Sequence, residues 1–169
     1  MLYDKCHLCN YGDCAETLFF SRPPSADLRM PTFCINGLTF GLAICYDIRF
    51  PEFFRRLAME GAVDVILHPG GWPRDSCFST WHPFVICRAV ENQCVVVSVN
   101  RAGPHFGNSI IAGPWVDDAA WKPITAPDNS EVTLWRVVTR DEIQTLRDTY
   151  QLRSDRLDYQ SISLSQQDF

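Results

Sequence analysis

Cys45 lies where a sharp turn could expose a thiol for chemistry. It follows the apolar residues 41–44, which predict the end of a buried strand. Pro51 then predicts the first turn of a helix, because proline has no N–H to lose there. A thiol lifted out of the core beside free backbone N–H groups is suited to acyl transfer. We therefore predict a nucleophilic Cys45, although a buried cysteine in a strand is more often a small core residue.

A thiol with an ordinary pKa of about 8.5 is only slightly ionised at neutral pH, so the site must supply a base or a positive charge. His68, His82 and His105 are each isolated in the sequence, and a solitary histidine beside apolar residues is more often structural. A papain-like pair is therefore not indicated, although a histidine brought close by the fold remains an open alternative. Lys5 is the other candidate cation, and its ordinary interpretation is a solvated surface lysine.

The composition is that of an ordinary globular chain. It has 169 residues, of which 46% are hydrophobic and 21% are charged, and this length fits one domain. The net charge of −5 gives no basic surface for nucleic acid. No stretch has the apolar length of a membrane span or of a signal peptide. Because Cys45, Cys87 and Cys94 lie in apolar runs typical of reduced thiols, we expect a cytoplasmic protein.

Two strand–helix–strand units are predicted around Cys45. After an irregular segment at residues 1–31, Asn36-Gly37 predicts a hairpin whose second strand is buried and runs to residue 44. A short helix ending at Gly61 and an apolar strand at residues 63–67 follow. An unalternating apolar strand after a helix is typical of a right-handed crossover in a parallel sheet.

The second unit and the remaining elements follow in order. Ser79 or Thr80 could cap a helix that runs to about residue 92. Further strands are predicted at residues 94–99, 109–112 and 132–138, the last two as edge strands. Residues 139–142 fit a capping box for a helix ending near residue 150, and residues 160–169 predict a frayed or partner-packed tail. With no repeat or linker, the sequence predicts one domain over residues 1–169.

Three motifs resemble those of the nitrilase superfamily, the carbon–nitrogen hydrolases that cleave nonpeptide amides, carbamoyl groups and nitriles. Residues 41–52 resemble its nucleophile motif, and residues 3–8 resemble its lysine motif. Residues 88–93 are similar to its helix signature, in which Arg88 and Glu91 are expected to form a structural ion pair. The motifs occur in the family's order, and the resemblance extends from Lys5 to about residue 159.

The resemblance implies both a fold and a mechanism. The fold is α/β, the second part of a four-layer αββα sandwich. In the mechanism, Cys45 attacks the carbon of a small linear amide or carbamoyl compound and forms a thioester acyl-enzyme, with release of ammonia. Lys5 and the Tyr46 N–H stabilise the oxyanion, and Glu16 helps to hold the substrate. The resemblance implies neither metal nor organic cofactor, and it implies a homo-oligomer, a dimer or larger.

Gly70, Gly71 and Trp72 are expected to line the substrate pocket, because ligands in such sheets bind beyond the carboxyl ends of the strands. The resemblance also implies a general-base glutamate upstream of the lysine motif, and residues 1–169 contain no match to it. We therefore expect a domain truncated at its N-terminus. A catalytically incomplete structural or binding protein of the same fold is an alternative, and nitrile hydrolysis is a second one.

A metal site is a further alternative. Cys6 and Cys9 form a C-x2-C pattern, and Cys14 adds a third thiol. A structural zinc site usually needs a second matched pair, and none follows at ligand spacing. The sequence therefore favours no metal.

Overall fold

One six-stranded sheet organises the computed structural model, which describes residues 3–12, 14–158 and 161–163. The strands are β1 (Thr32–Ile35), β2 (Leu38–Leu42), β3 (Val65–Pro69), β4 (Val95–Val99), β5 (Ile110–Ala112) and β6 (Ile124–Thr125). The α-helices are α1 (Pro51–Met59), α2 (Trp81–Asn92) and α3 (Arg140–Thr149). The predicted α/β class is therefore confirmed.

The strands lie side by side in chain order. β2, β3 and β4 are parallel, and the other three neighbouring pairs are antiparallel. Helix α1 connects β2 to β3, and helix α2 connects β3 to β4, as the two predicted strand–helix–strand units require. The β1–β2 turn has positive φ at both Asn36 and Gly37, the geometry that favours Asn-Gly in tight hairpins.

The edge of the sheet differs from the prediction. Residues 132–138 form no strand, and β6 instead pairs with β5. Leu134 and Val138 pack onto one face of the sheet. The alternating apolar residues of this segment therefore belong to a chain that lies over the sheet and is not one of its strands. β5 is fully buried and is not an edge strand. β2 ends at Leu42, before residue 44, and is mostly half-buried.

Helix ends follow the prediction only in part. Ala62, rather than Gly61, takes the left-handed conformation after α1. Thr80 precedes α2, but its hydroxyl donates to the Cys77 carbonyl and accepts no hydrogen bond from a helix N–H. Thr139 caps α3 by accepting the Glu142 N–H at 3.2 Å, whereas the Glu142 carboxylate pairs with an upstream arginine. Of the predicted tail, only residues 161–163 are described.

Apolar side chains fill both faces of the sheet. One cluster packs the sheet against α1 and α2 and includes Phe54, Ile66 and Trp81. The other packs it against α3 and includes Val65 and Ile143. Successive residues of a strand point to opposite faces, so neighbours such as Val65 and Ile66 serve different clusters. Within the described ranges, no helix has the length and apolar character needed to cross a membrane.

Candidate active site

Cys45 lies at a strained turn just after β2. Its φ is +47°, a left-handed conformation that is uncommon for residues with a side chain and is often found at functional sites. A 3-10 helix over Cys45–Arg49 follows, and α1 begins at Pro51. The predicted sharp turn is therefore confirmed, and it directs Cys45 into a cavity of about 920 Å³.

All seven residues predicted for the site line this one cavity. They are Lys5, Glu16, Cys45, Tyr46, Gly70, Gly71 and Trp72. Two walls come from the segments that follow the parallel strands β2 and β3, and a third comes from the irregular leading segment. The structure thus places Lys5 and Cys45 in the same cavity.

Lys5 and Glu16 form an ion pair in the leading segment. The Lys5 Nζ lies 2.7 and 2.6 Å from the two Glu16 carboxylate oxygens, and the Cys9 N–H donates to the same carboxylate at 2.6 Å. Partial burial opposes ionisation of Glu16, but the Lys5 ammonium and the Cys9 N–H together lower the pKa of this carboxyl. The ammonium is therefore held in place by a charged partner.

Tyr46 contributes a backbone donor beside the thiol. The Asp47 N–H donates to the Ile44 carbonyl at 3.0 Å. In contrast, the Tyr46 N–H has no backbone partner among the described residues. Free N–H groups of this kind are expected in the first turn of a helix. This N–H is therefore available as a hydrogen-bond donor beside Cys45.

The three pocket residues after β3 have different environments. A Cβ on Gly70 would lie 3.2 Å from the Cys45 Cα and 3.6 Å from its Sγ, so a larger residue would have to displace Cys45 by tenths of an ångström. Gly71 is less constrained, with its nearest contact to Arg101 at 3.5 Å. Trp72 is only 7% exposed and stacks on Trp81. Its side chain is therefore mainly part of the core.

Asp47 is a site residue that sequence reasoning missed. It is fully buried and accepts hydrogen bonds from the Tyr3 hydroxyl at 2.7 Å, the His7 N–H at 3.1 Å and the Ile44 N–H at 2.8 Å. Burial and the Asp47 carboxylate raise the pKa of the Tyr3 phenol. One carboxylate therefore joins the segment that carries Lys5 to the turn that carries Cys45.

His68 contacts the same turn through the Cys45 carbonyl. It is buried, and its Nε2 lies 2.9 Å from the Cys45 carbonyl oxygen. Its Nδ1 lies 2.8 Å from the Ser98 hydroxyl, which also accepts the Trp81 Nε1–H at 3.0 Å. Burial lowers the pKa of His68 to about 4. Since a carbonyl can only accept, we assign the proton to Nε2 of a neutral ring.

Two arginines pack around the 3-10 helix. Arg88 pairs with Glu91 at 3.0 Å, as predicted, and its Nε donates to the Ile48 carbonyl at 2.9 Å. The Arg49 guanidinium lies about 5 Å from three aromatic rings, including those of Tyr11 and Trp72 in the cavity wall. These contacts fix the helix that follows Cys45.

The three thiols of the metal alternative are not clustered. Cys9 and Cys14 line the cavity, whereas Cys6 is buried in the core beside Tyr3. In the part of the chain that the structure describes, no group of three or more His, Cys, Asp or Glu side chains is arranged to hold a metal ion.

Comparison with known proteins identifies the family. The model of the carbon-nitrogen hydrolase family matches residues 1–148. The chain belongs to this family. It is 32% identical over 124 residues to the deaminated glutathione amidase of Mus musculus, covering 67% of this chain and 37% of that protein. It is 36% identical over 118 residues to the 2-oxoglutaramate amidase of Bacillus subtilis, covering 67% and 42%.

A solved amidase shares the fold and has a covalent adduct on a cysteine. It is a glutamate-to-glutamine mutant of the amidase from Nesterenkonia sp. AN1, with the acetamide moiety of fluoroacetamide added covalently at the active site cysteine. Its TM-score is 0.61 at 28% identity, covering 76% of this chain and 46% of that one. The chain thus spans less than half the length of each of these relatives.

Proposed function

We propose that residues 1–169 belong to one carbon–nitrogen hydrolase domain that cleaves a small linear amide or carbamoyl compound through Cys45. The observation that carries the proposal is the position of Cys45, strained at the end of β2 and sharing a cavity with the Lys5–Glu16 pair. The cysteine adduct in the Nesterenkonia amidase supports a nucleophilic thiol in this family.

In the proposed reaction, the Cys45 sulfur attacks the amide carbon and the carbonyl oxygen becomes an oxyanion. The Tyr46 N–H and the Lys5 ammonium stabilise that charge. Collapse of the intermediate breaks the C–N bond and releases ammonia, which leaves a thioester on Cys45. Water then hydrolyses the thioester to the acid, and the thiol is restored.

Glu16 is assigned to positioning and substrate binding. Its carboxylate is already occupied by Lys5 and by the Cys9 N–H, which leaves it poorly placed to remove the thiol proton. Asp75 also lines the cavity, and it accepts the Cys77 N–H at 2.8 Å. Following the family resemblance, we propose that a glutamate outside the described residues removes the thiol proton.

The substrate class follows from the names of the relatives, which are amidases of deaminated glutathione and of 2-oxoglutaramate. We propose a small-molecule amide substrate and a homo-oligomer, a dimer or larger. The cysteine usage supports a cytoplasmic location.

Covalent labelling tests the nucleophile directly. The chain is incubated with iodoacetamide at low excess, and the labelled peptide is identified by mass spectrometry. We expect labelling at Cys45 first, and its loss in Cys45→Ser. The exposed Cys34, on β1, provides the control: Cys34→Ser should leave Cys45 labelling unchanged. Preferential labelling of any other cysteine contradicts the proposal.

Ammonia release tests turnover. The chain and a longer form carrying any upstream coding sequence are assayed with 2-oxoglutaramate, a simple aliphatic amide and a nitrile. Hydrolysis of an amide that is lost in Cys45→Ser supports the amidase proposal. Hydrolysis of the nitrile alone supports nitrile hydrolysis instead.

A non-catalytic binding protein of the same fold is the second candidate. It is favoured by one observation: in the cavity wall, the Glu16 carboxylate is already bonded to Lys5 and the Asp75 carboxylate to the Cys77 N–H. Amide binding without ammonia release, in both the chain and the longer form, would support this candidate.

A further inference from the structure

The leading segment carries two neighbouring thiols that the proposed hydrolysis does not use. Cys9 and Cys14 both line the cavity, Cys9 buried and Cys14 exposed, and both are free. We propose that Cys9 and Cys14 form a dithiol site that a peroxide oxidises to an intramolecular disulfide.

The backbone brings the two cysteines together. The Cys14 N–H donates to the Tyr11 carbonyl at 3.0 Å, so the chain reverses direction between the two thiols. The Glu16 N–H donates to the Cys9 carbonyl at 3.0 Å and closes the loop. Both side chains line the same cavity, and burial, together with the neighbouring Cys14 thiol, raises the pKa of Cys9. The two thiols therefore lie on one closed loop and line the same cavity.

The difference in exposure sets the order of the reaction. Peroxide reaches the exposed Cys14 first, oxidising its thiol to a sulfenic acid with release of one water. The Cys9 sulfur then attacks the Cys14 sulfur, the S–O bond breaks, and the thiol proton leaves with the hydroxyl as a second water. In total, two thiols and one hydrogen peroxide give one disulfide and two waters.

Cys9 is suited to the second step rather than the first. Burial and the neighbouring Cys14 thiol raise the pKa of Cys9, and a thiol that is less ionised reacts more slowly with an oxidant in solution. Its backbone N–H donates to the Glu16 carboxylate, which holds Lys5. The disulfide would therefore restrain the segment that positions the Lys5–Glu16 pair.

Mass mapping tests the disulfide independently of catalysis. The full chain with Cys45→Ser is treated with stoichiometric hydrogen peroxide and alkylated, and trypsin then releases residues 6–29 as one peptide. We expect this peptide to lose two hydrogens and to be alkylated only at Cys6. Prior reduction should restore alkylation at Cys9 and Cys14. Because the nucleophile is absent, the result does not depend on the proposed function.

Two variants complete the test. Cys14→Ser changes an exposed side chain, so it should fold and should form no disulfide in this peptide. Cys34→Ser removes a distant exposed thiol and should leave the disulfide intact. A disulfide that persists in Cys14→Ser, which would join Cys6 to Cys9, overturns the proposal. So does peroxide treatment that leaves both thiols free or converts Cys14 only to higher oxides.

Discussion

Acid should destabilise the fold through His68. Its pKa is lowered from 6.5 to about 4 by burial, and both ring nitrogens are engaged, one with the Cys45 carbonyl and one with Ser98. Between these two pH values the unfolded chain binds a proton that the folded chain does not. The free energy of unfolding therefore falls as the pH drops from 6.5 towards 4, and this contribution is constant outside that window.

The magnitude follows from the two pKa values. Each unit of difference between the two pKa values corresponds to about 1.4 kcal/mol of unfolding free energy. The total loss on acidification is therefore about 3 kcal/mol, reached when His68 is protonated in the folded state as well. At about pH 5, where the unfolded histidine is almost fully protonated and the folded one almost neutral, the loss is about 2 kcal/mol.

Urea denaturation of the wild type and of His68→Gln at neutral pH and at about pH 5 measures this loss. Glutamine keeps an amide donor for the Cys45 carbonyl but cannot titrate. The difference between the unfolding free energies of the two proteins therefore cancels the contribution of every other acid-sensitive group. At neutral pH, we expect the wild type to be the more stable protein. At about pH 5, its advantage should shrink by about 2 kcal/mol. An advantage of equal size at both pH values would refute the reasoning.

Three further substitutions have defined outcomes. Asp47→Asn places an amide against buried donors and should lower the unfolding free energy by about 3 kcal/mol in urea; a loss below about 1 kcal/mol contradicts the network. Gly70→Ala should push Cys45 by tenths of an ångström and slow its alkylation roughly tenfold while costing only about 1 kcal/mol; an unchanged alkylation rate contradicts the close approach. Glu16→Gln removes the Lys5 partner. Because the pKa of Glu16 is lowered, thermal melts should show a stability deficit at neutral pH that disappears as the pH falls below about 4.5, and a deficit that persists in acid contradicts the ion pair.

Much of the fold could be predicted because its signals are local. Asn36-Gly37 specifies a hairpin by itself, and the apolar runs of β3 and β4 indicate buried strands wherever they occur. The segment at residues 132–138 was mistaken for a strand because alternating apolar residues serve equally well for a chain lying across a sheet. β6 has only two residues, too few to give a periodic signal.

Residues of the candidate site could be predicted from the sequence where they belong to a motif. The turn at Cys45 follows from its own neighbours, and Lys5 and Glu16 were identified through the family resemblance. Asp47 was missed, and His68 was interpreted as structural without its contacts being predicted, because the partners of both residues are distant in sequence. The His7 N–H is 40 residues from Asp47, and Ser98 is 30 residues from His68. Only the folded topology brings such partners together.

The Asp47 carboxylate has a consequence for how the site comes into being. Since it bonds both the leading segment and the nucleophile turn, neither wall of the cavity can be completed without the other. A nascent or partly denatured chain would carry a sulfhydryl with no ammonium close by. The proposed hydrolysis at Cys45 thus requires the assembled tertiary structure, and the onset of activity would follow the folding of both walls.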